Sequence, residues 1–231
     1  MKIIILAAGR GMRLGKIVPK PLVSVNGRKT ILDFQLEQLT KISSLSDIII
    51  VVGYKYGQFI RKFPDLTYVY NNKYAKTNTA KSLLCAMEKI ENEDVMWLNG
   101  DVFFDDSKII ELLLKCNNSC SLVNNEKCGK EEVKYCLDGK GYVKRISKQV
   151  NRSEGEVLGI NLIKKKDVEL FNRELAKVKD DDYFEKALEN LILKNELKLK
   201  PIYVKDFFCK EVDFLTDLKK VKEYIKSKNV K

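Results

Sequence analysis

A chain of 231 residues that is 45% apolar and 32% charged has the size of one domain able to bury a real core. Its net charge of +11 suits anionic partners, but the basic residues are spread out, with only short clusters such as Lys164-Lys165-Lys166. The absence of an arginine-rich arm, a recognition-helix signature or an aromatic ribonucleoprotein motif argues against nucleic acid. No apolar stretch approaches a membrane span, and the apolar run within Met1 to Leu6 is too short for a signal peptide, so membrane insertion is not expected. The six cysteines form no C-x-x-C pair and the chain has no histidine, which points to free thiols and a cytoplasmic protein.

The first element is an apolar run, Ile3-Ile4-Ile5-Leu6, short enough for one buried strand. It breaks into Ala7-Ala8-Gly9-Arg10-Gly11-Met12-Arg13-Leu14-Gly15 and then Pro19-Lys20-Pro21-Leu22. Glycines let main-chain N–H groups close on an anion, and Arg10, Arg13 and Lys20 can neutralise phosphate charge. Glycines at 9, 11 and 15 fit neither the dinucleotide fingerprint nor the P-loop. Farther on, the pattern predicts a helix over 30–43, a buried strand over 47–52, a short helix over 56–63 and a strand over 67–70. This alternation argues for a mostly parallel α/β sheet covered on both faces.

A helix over 78–90 places Ala80, Leu83, Leu84 and Met87 on one side and Asn78, Lys81 and Ser82 on the other. The apolar strand Val95 to Leu98 leads into Asn99-Gly100-Asp101, where ligands bind in open α/β sheets. Asp105 or Asp106 then caps a helix through Lys115. Strand-like runs at 133–137 and 142–147, joined by Asp138-Gly139-Lys140-Gly141, read as an antiparallel hairpin, followed by a strand over 156–163. Helices over 166–177 and 182–195, a strand over 198–204 and a last helix over 216–227 complete the chain. A single domain is expected, with 1–122 forming a nucleotide-binding part, 123–213 an acceptor-binding part and 214–231 a C-terminal helix. The fold class is a Rossmann-like mixed sheet flanked by helices, with a small antiparallel insertion.

The N-terminal stretch resembles the sugar-nucleotidyltransferase signature L-A-A-G-x-G-x-R-L followed by P-K-P-L. The remaining pieces are similar to the branch of nucleotidyltransferases that acts with CTP on phosphocholine or phosphonates. They are Val51-Val52-Gly53-Tyr54, Tyr70 to Tyr74 with Thr77-Asn78 and Ser82-Leu83, Gly100-Asp101-Val102, Ile146-Ser147-Lys148, Gly155-Glu156 with Gly159-Ile160, and Glu211-Val212-Asp213. The resemblance implies that Leu6, Ala7, Ala8, Gly9 and Gly11 approach the nucleotide, with Gly53, Asn78, Ser82 and Gly100 also on the nucleotide side. Arg13 would hold the triphosphate, Lys20 would bridge it and the acceptor phosphate, and Lys148 would contact the acceptor phosphate. Asp101 and Asp213 would bind Mg²⁺, while Glu156 and Gly159 would line the acceptor pocket. The Glu-Lys-Pro context of sugar enzymes is missing around Lys148, which argues against a hexose 1-phosphate.

The implied reaction is attack of a phosphate or phosphonate oxygen on the α-phosphorus of CTP, releasing pyrophosphate and giving a CDP-linked product. An already ionised nucleophile needs no histidine; it needs positioning and charge neutralisation. For the acceptor group, Trp97, Phe103, Tyr135, Tyr142, Tyr183 and Phe184 are candidates for a cage around a quaternary amine, although most suit a core. Lys134, Lys144 and Arg145 would instead suit an anionic acceptor such as a phosphorylated amino acid. Two other readings stand beside this one: a sugar-1-phosphate nucleotidyltransferase using another NTP, and a catalytically silent nucleotide-binding subunit. Oligomeric state stays open, a homodimer being one option.

Overall fold

The computed structural model describes residues 1–11, 14 and 18–228. Among them, a nine-stranded mixed sheet carries the fold. Strands β1 (Lys2–Ala7), β2 (Ile48–Val52), β3 (Thr67–Tyr70) and β4 (Val95–Asn99) pair in parallel, as the alternation of apolar strands and helices predicts. Strand β9 (Gly155–Ile163) runs antiparallel between β4 and β6 (Cys120–Val123), and β10 (Lys200–Tyr203) closes the far edge beside β6. The expected hairpin is present as β7 (Lys134–Leu137) and β8 (Val143–Ser147), attached to the start of β9 through β7. A separate two-stranded ribbon pairs β5 (Val102–Phe104) with β11 (Cys209–Glu211).

Because side chains alternate across a strand, the apolar runs supply two faces at once. Ile4, Leu6, Ile49 and Val51 pack with α3 (Thr79–Met87), α5 (Lys165–Lys177) and α6 (Phe184–Leu193). Ile3, Ile5, Ile48 and Ile50 pack on the other side with α1 (Ile31–Leu39), α2 (Tyr56–Lys62) and α4 (Lys108–Leu114). Thr30 begins α1 with a capping box to Asp33. Helix α7 (Leu215–Lys228) covers the ribbon, burying Leu218, Val221 and Ile225 near Phe103 and Val212.

Three strands, β5, β6 and β11, lie where the sequence pattern predicts none. Each has only three or four residues, too few to establish a period, and their pairing comes from distant partners. Asp106 caps the backbone N–H of Lys108, whereas Asp105 accepts from Tyr224 and Lys228 of α7. The six cysteines stand as free thiols, and among the described residues no helix is long and apolar enough to cross a membrane.

Gly155 marks the tightest backbone approach: a Cβ there would lie 1.8 Å from the Asn124 carbonyl oxygen. Gly155→Ala is expected to lower unfolding free energy by about 2 kcal/mol or more in urea titrations, as overpacking against backbone does. Gly139→Ala, with open space around its Cβ, should stay within about 0.5 kcal/mol of the parent chain.

Candidate active site

A cleft of about 360 Å³ opens beyond the carboxyl ends of β1 and β4. Its donor side is made by the loop that leaves β1. Leu6, Ala7, Gly9 and Gly11 line it, and the loop is held by main-chain bonds from Gly100 N–H to the Leu6 carbonyl and from Tyr54 N–H to the Ala8 carbonyl. Ala8 is buried under the loop. Gly53 and Gly100 let the neighbouring chain close on this loop: a Cβ on Gly53 would strike Tyr74 and the Ala8 carbonyl, and one on Gly100 would strike Pro21 and the Leu6 carbonyl. Arg13 lies outside the described residues.

Lys20, Asp101 and Asp213 meet at the cleft. The Lys20 ammonium donates to Asp101 Oδ2 at 2.9 Å and also to Asp213 Oδ1. Both carboxylates therefore face one cation position, the one that the Lys20 ammonium takes. The ribbon causes this meeting: Glu211 pairs with Val102, and Val212 N–H donates to the Asp101 carbonyl, so Asp213 arrives beside Asp101. Gln35, fully buried, donates from Nε2 to the carbonyls of Asn99 and Val102 and pins the turn that carries Asp101. Burial opposes the Lys20 charge, but the Asp101 and Asp213 carboxylates outweigh it and hold the ammonium well above its ordinary value.

The donor set suits Mg²⁺. Mg²⁺ is commonly held by one or two carboxylates, with substrate phosphates and waters completing its shell, and the lysine ammonium between Asp101 and Asp213 already stands in for a cation. Glu211 adds a third carboxyl group, bonded by Asn99 Nδ2 at 2.8 Å. Its burial and the Asp101 charge push its pKa far up, so it is better suited to staying protonated than to adding a third charge.

The acceptor side is lined by Glu131, Val133, Lys148, Tyr183, Phe184 and Glu185. Lys148 sits 3.6 Å from the Glu131 carboxylate, with its ammonium 4.9 Å from the centre of the Tyr183 ring. Glu185, in the first turn of α6, is only 6% exposed, and its Oε2 has no hydrogen-bond partner. Burial raises its pKa to about 7, against the opposing pull of Lys148.

Several expectations need correction. Ser82 does not lie on a polar face: it is 6% exposed and accepts from Asn71 Nδ2 at 3.0 Å, because α3 is covered on this side too by the loop after β3. Asn78 caps α3 and does line the cleft. Glu156 and Gly159 belong to β9, buried along its whole length, and neither lines the cleft. Glu156 is bonded by Asn124, while Gly159 leaves room for Asn99 and Glu211. Trp97, Phe103, Tyr135 and Phe184 are core, and Tyr142 carries the Lys200 ammonium on its ring, which leaves Tyr183 as the exposed ring of the proposed cage at the cleft. Lys134 donates to the Lys148 carbonyl and Arg145 pairs with Glu189, so neither lines an anionic pocket. Gln35, Asn99, Glu185 and Glu211 also belong to the site; Asn99 and Glu211 stand in the segments Asn99-Gly100-Asp101 and Glu211-Val212-Asp213, where only the aspartates carry a sequence signal, and Gln35 and Glu185 carry none.

The chain is 40% identical over 108 residues to the choline-phosphate cytidylyltransferase of Streptococcus pneumoniae, covering 45% of this chain and 46% of that one. It therefore matches less than half the length of that relative. It is 26% identical to the CTP:phosphoglutamine cytidylyltransferase of Campylobacter jejuni, across 94% of this chain and 98% of that one. The solved structure of CTP:phosphocholine cytidylyltransferase from Streptococcus pneumoniae superposes with a TM-score of 0.79 at 25% identity, over 97% of this chain and 98% of that one. A match over residues 3–157, more than half its length, shows the family: the chain belongs to the MobA-like NTP transferase domain family.

Proposed function

We propose that the protein transfers CMP from CTP to the phosphate or phosphonate group of a small acceptor that also carries an ammonium group, releasing pyrophosphate. The observation that carries the acceptor class is Glu185, a buried carboxyl group with an unpartnered Oε2 at the cleft. An ammonium brought there would complete the missing hydrogen bond and neutralise the charge. Tyr183 adds aromatic surface, but Lys148 already occupies its ring and Phe184 is buried in the core, so a full aromatic cage is not built. An acceptor whose nitrogen bears N–H donors therefore fits better than a trimethylammonium, which has none. CTP as donor follows the named relatives.

The remaining roles follow from position. The main chain at Ala7, Gly9 and Gly11 approaches the nucleotide, and Asn78 flanks it. Mg²⁺ on Asp101 and Asp213 would supply charge neutralisation at the reacting phosphates. Lys20 draws donor and acceptor phosphates together and Lys148 orients the acceptor's anionic group, while Arg13 is assigned to the triphosphate by family resemblance alone. No residue has to remove a proton, because the attacking oxygen is ionised near neutral pH.

Pyrophosphate release should be measured with four NTPs against 2-aminoethylphosphonate, phosphoethanolamine, phosphocholine, phosphorylated amino acids and hexose 1-phosphates. The expected result is CTP preference and a kcat/KM about tenfold or more higher for N–H-bearing amines than for phosphocholine, the weight of one buried charge-assisted hydrogen bond. Release only with hexose phosphates would overturn the reading. Asp101→Ala should abolish turnover while its circular dichroism spectrum stays that of the parent chain; an unfolded variant would make Asp101 structural instead.

Glu185 gives a pH signature. Its carboxylate form binds an ammonium, so the ratio of kcat/KM between the parent chain and Glu185→Gln should rise with pH through about 7 and then level off. Stability moves oppositely. The folded-state pKa lies above the ordinary 4.5, so the contribution of Glu185 is full below 4.5 and is lost as pH rises through about 7. Glu185→Gln should therefore gain in melting temperature relative to the parent chain between pH 4.5 and 8.

A further inference from the structure

We infer that Lys20 is a resident substitute for the metal: without nucleotide its ammonium holds Asp101 and Asp213 together and excludes Mg²⁺, and a nucleotide's phosphates must draw it off before the metal can bind. Divalent cation would then enter with the nucleotide and not ahead of it. The inference rests on the assignment of Asp101 and Asp213 as the metal-holding pair and adds an order of loading to it.

Four observations carry this. The first is competition for the same atoms, since the Lys20 ammonium takes one oxygen from each carboxylate. An Mg²⁺ ion about 2.1 Å from those oxygens would leave no room for an ammonium between them. Second, the position is built and not a chance surface contact: the Lys20 side chain is only 13% exposed. Third, the backbone beneath it is fixed. Lys20 lies between Pro19 and Pro21 in a short turn closed by bonds from Leu22 N–H to the Pro19 carbonyl and from Val23 N–H to the Lys20 carbonyl. Any departure is therefore a swing of the four-carbon stem about its own torsions. Fourth, the stem is packed against the phosphate loop. Gly11 has φ of +59°, and a Cβ there would lie 2.7 Å from Lys20 Cγ, so the loop that receives phosphates touches the side chain that must move.

A permanent ion pair would show the same contacts but would never release the carboxylates. The two cases differ in what removing the ammonium does. With the Lys20 cation gone, the two carboxylates that it bridges lose its charge and attract a divalent ion more strongly.

The test is Mn²⁺ binding to the full chain without nucleotide, followed by the electron paramagnetic resonance signal of free Mn²⁺. Lys20→Gln should bind Mn²⁺ about tenfold or more tightly than the parent chain, in line with the coupling of close charge pairs. Lys20→Arg, which keeps a cation, should bind as weakly as the parent. Adding Asp101→Asn to Lys20→Gln should abolish the gain, which places it at this site. Thermal melting adds a second reading: Mg²⁺ should raise the melting temperature of Lys20→Gln and leave that of the parent chain unchanged. Should Lys20→Gln fold only when Mg²⁺ is present, the metal has replaced the ammonium, as inferred; failure to fold with or without Mg²⁺ overturns the substitution. Equal Mn²⁺ affinity in Lys20→Gln and the parent chain overturns it as well, and the metal assignment survives if Mn²⁺ binding in the presence of CTP still depends on Asp101. Binding indifferent to Asp101 in every variant removes the metal assignment itself.

Discussion

Two carboxylates far apart in the chain are held against one ammonium, and the rest of the structure is arranged around that contact. Asp101 and Asp213 would repel each other in a half-buried setting without a cation between them. Their approach is imposed by the β5–β11 ribbon, by the bond from Val212 N–H to the Asp101 carbonyl and by Gln35, whose amide grips the turn from below. Pro19 and Pro21 fix the backbone from which Lys20 reaches in. The site is electrostatically strained unless a positive charge is present, which is the property a phosphoryl-transfer centre needs when polyanions and cations arrive together.

The cleft is lined at one end by the main chain of the loop after β1 together with Lys20, Asp101 and Asp213. At its other end, a protein of net charge +11 presents Glu131 and Glu185 beside Lys148. Helices α3 and α6 are bound to each other at their N-termini there: Ala80 N–H donates to the Asp182 carbonyl, and Phe184 N–H donates to Thr79 Oγ1. The same helix junction thus places Asn78, Tyr183 and Glu185 along one cleft.

Long periodic segments were legible before any coordinates. The isoleucine-rich strands and helices α1, α5 and α7 lie close to where periodicity puts them, because a two-faced sheet core forces apolar residues into regular spacing. Short elements were not. Strands β5 and β11 hold three residues each and exist because they pair with one another. Ser82 shows the same limit within a helix: a polar residue on the less apolar side of α3 was read as exposed, yet Asn71 buries and bonds it. Glu185 gave no signal, since a glutamate in the first turn of an amphipathic helix is ordinary until its surroundings are known.

By itself the sequence determined the strand-loop-strand frame, the glycine-lysine loop after β1 and the candidate residues Lys20, Asp101, Lys148 and Asp213. Lys20 and Asp101 follow from the cationic loop and from the end of an apolar strand, while Lys148 and Asp213 come from family resemblance alone. Only the tertiary structure decided that Lys20 lies between the two aspartates, that Glu211 rather than Glu156 faces the cleft, and that Glu185 is buried with an open valence. Burial and charge coupling act through space between residues far apart in the chain, so no reading of neighbours along it contains them.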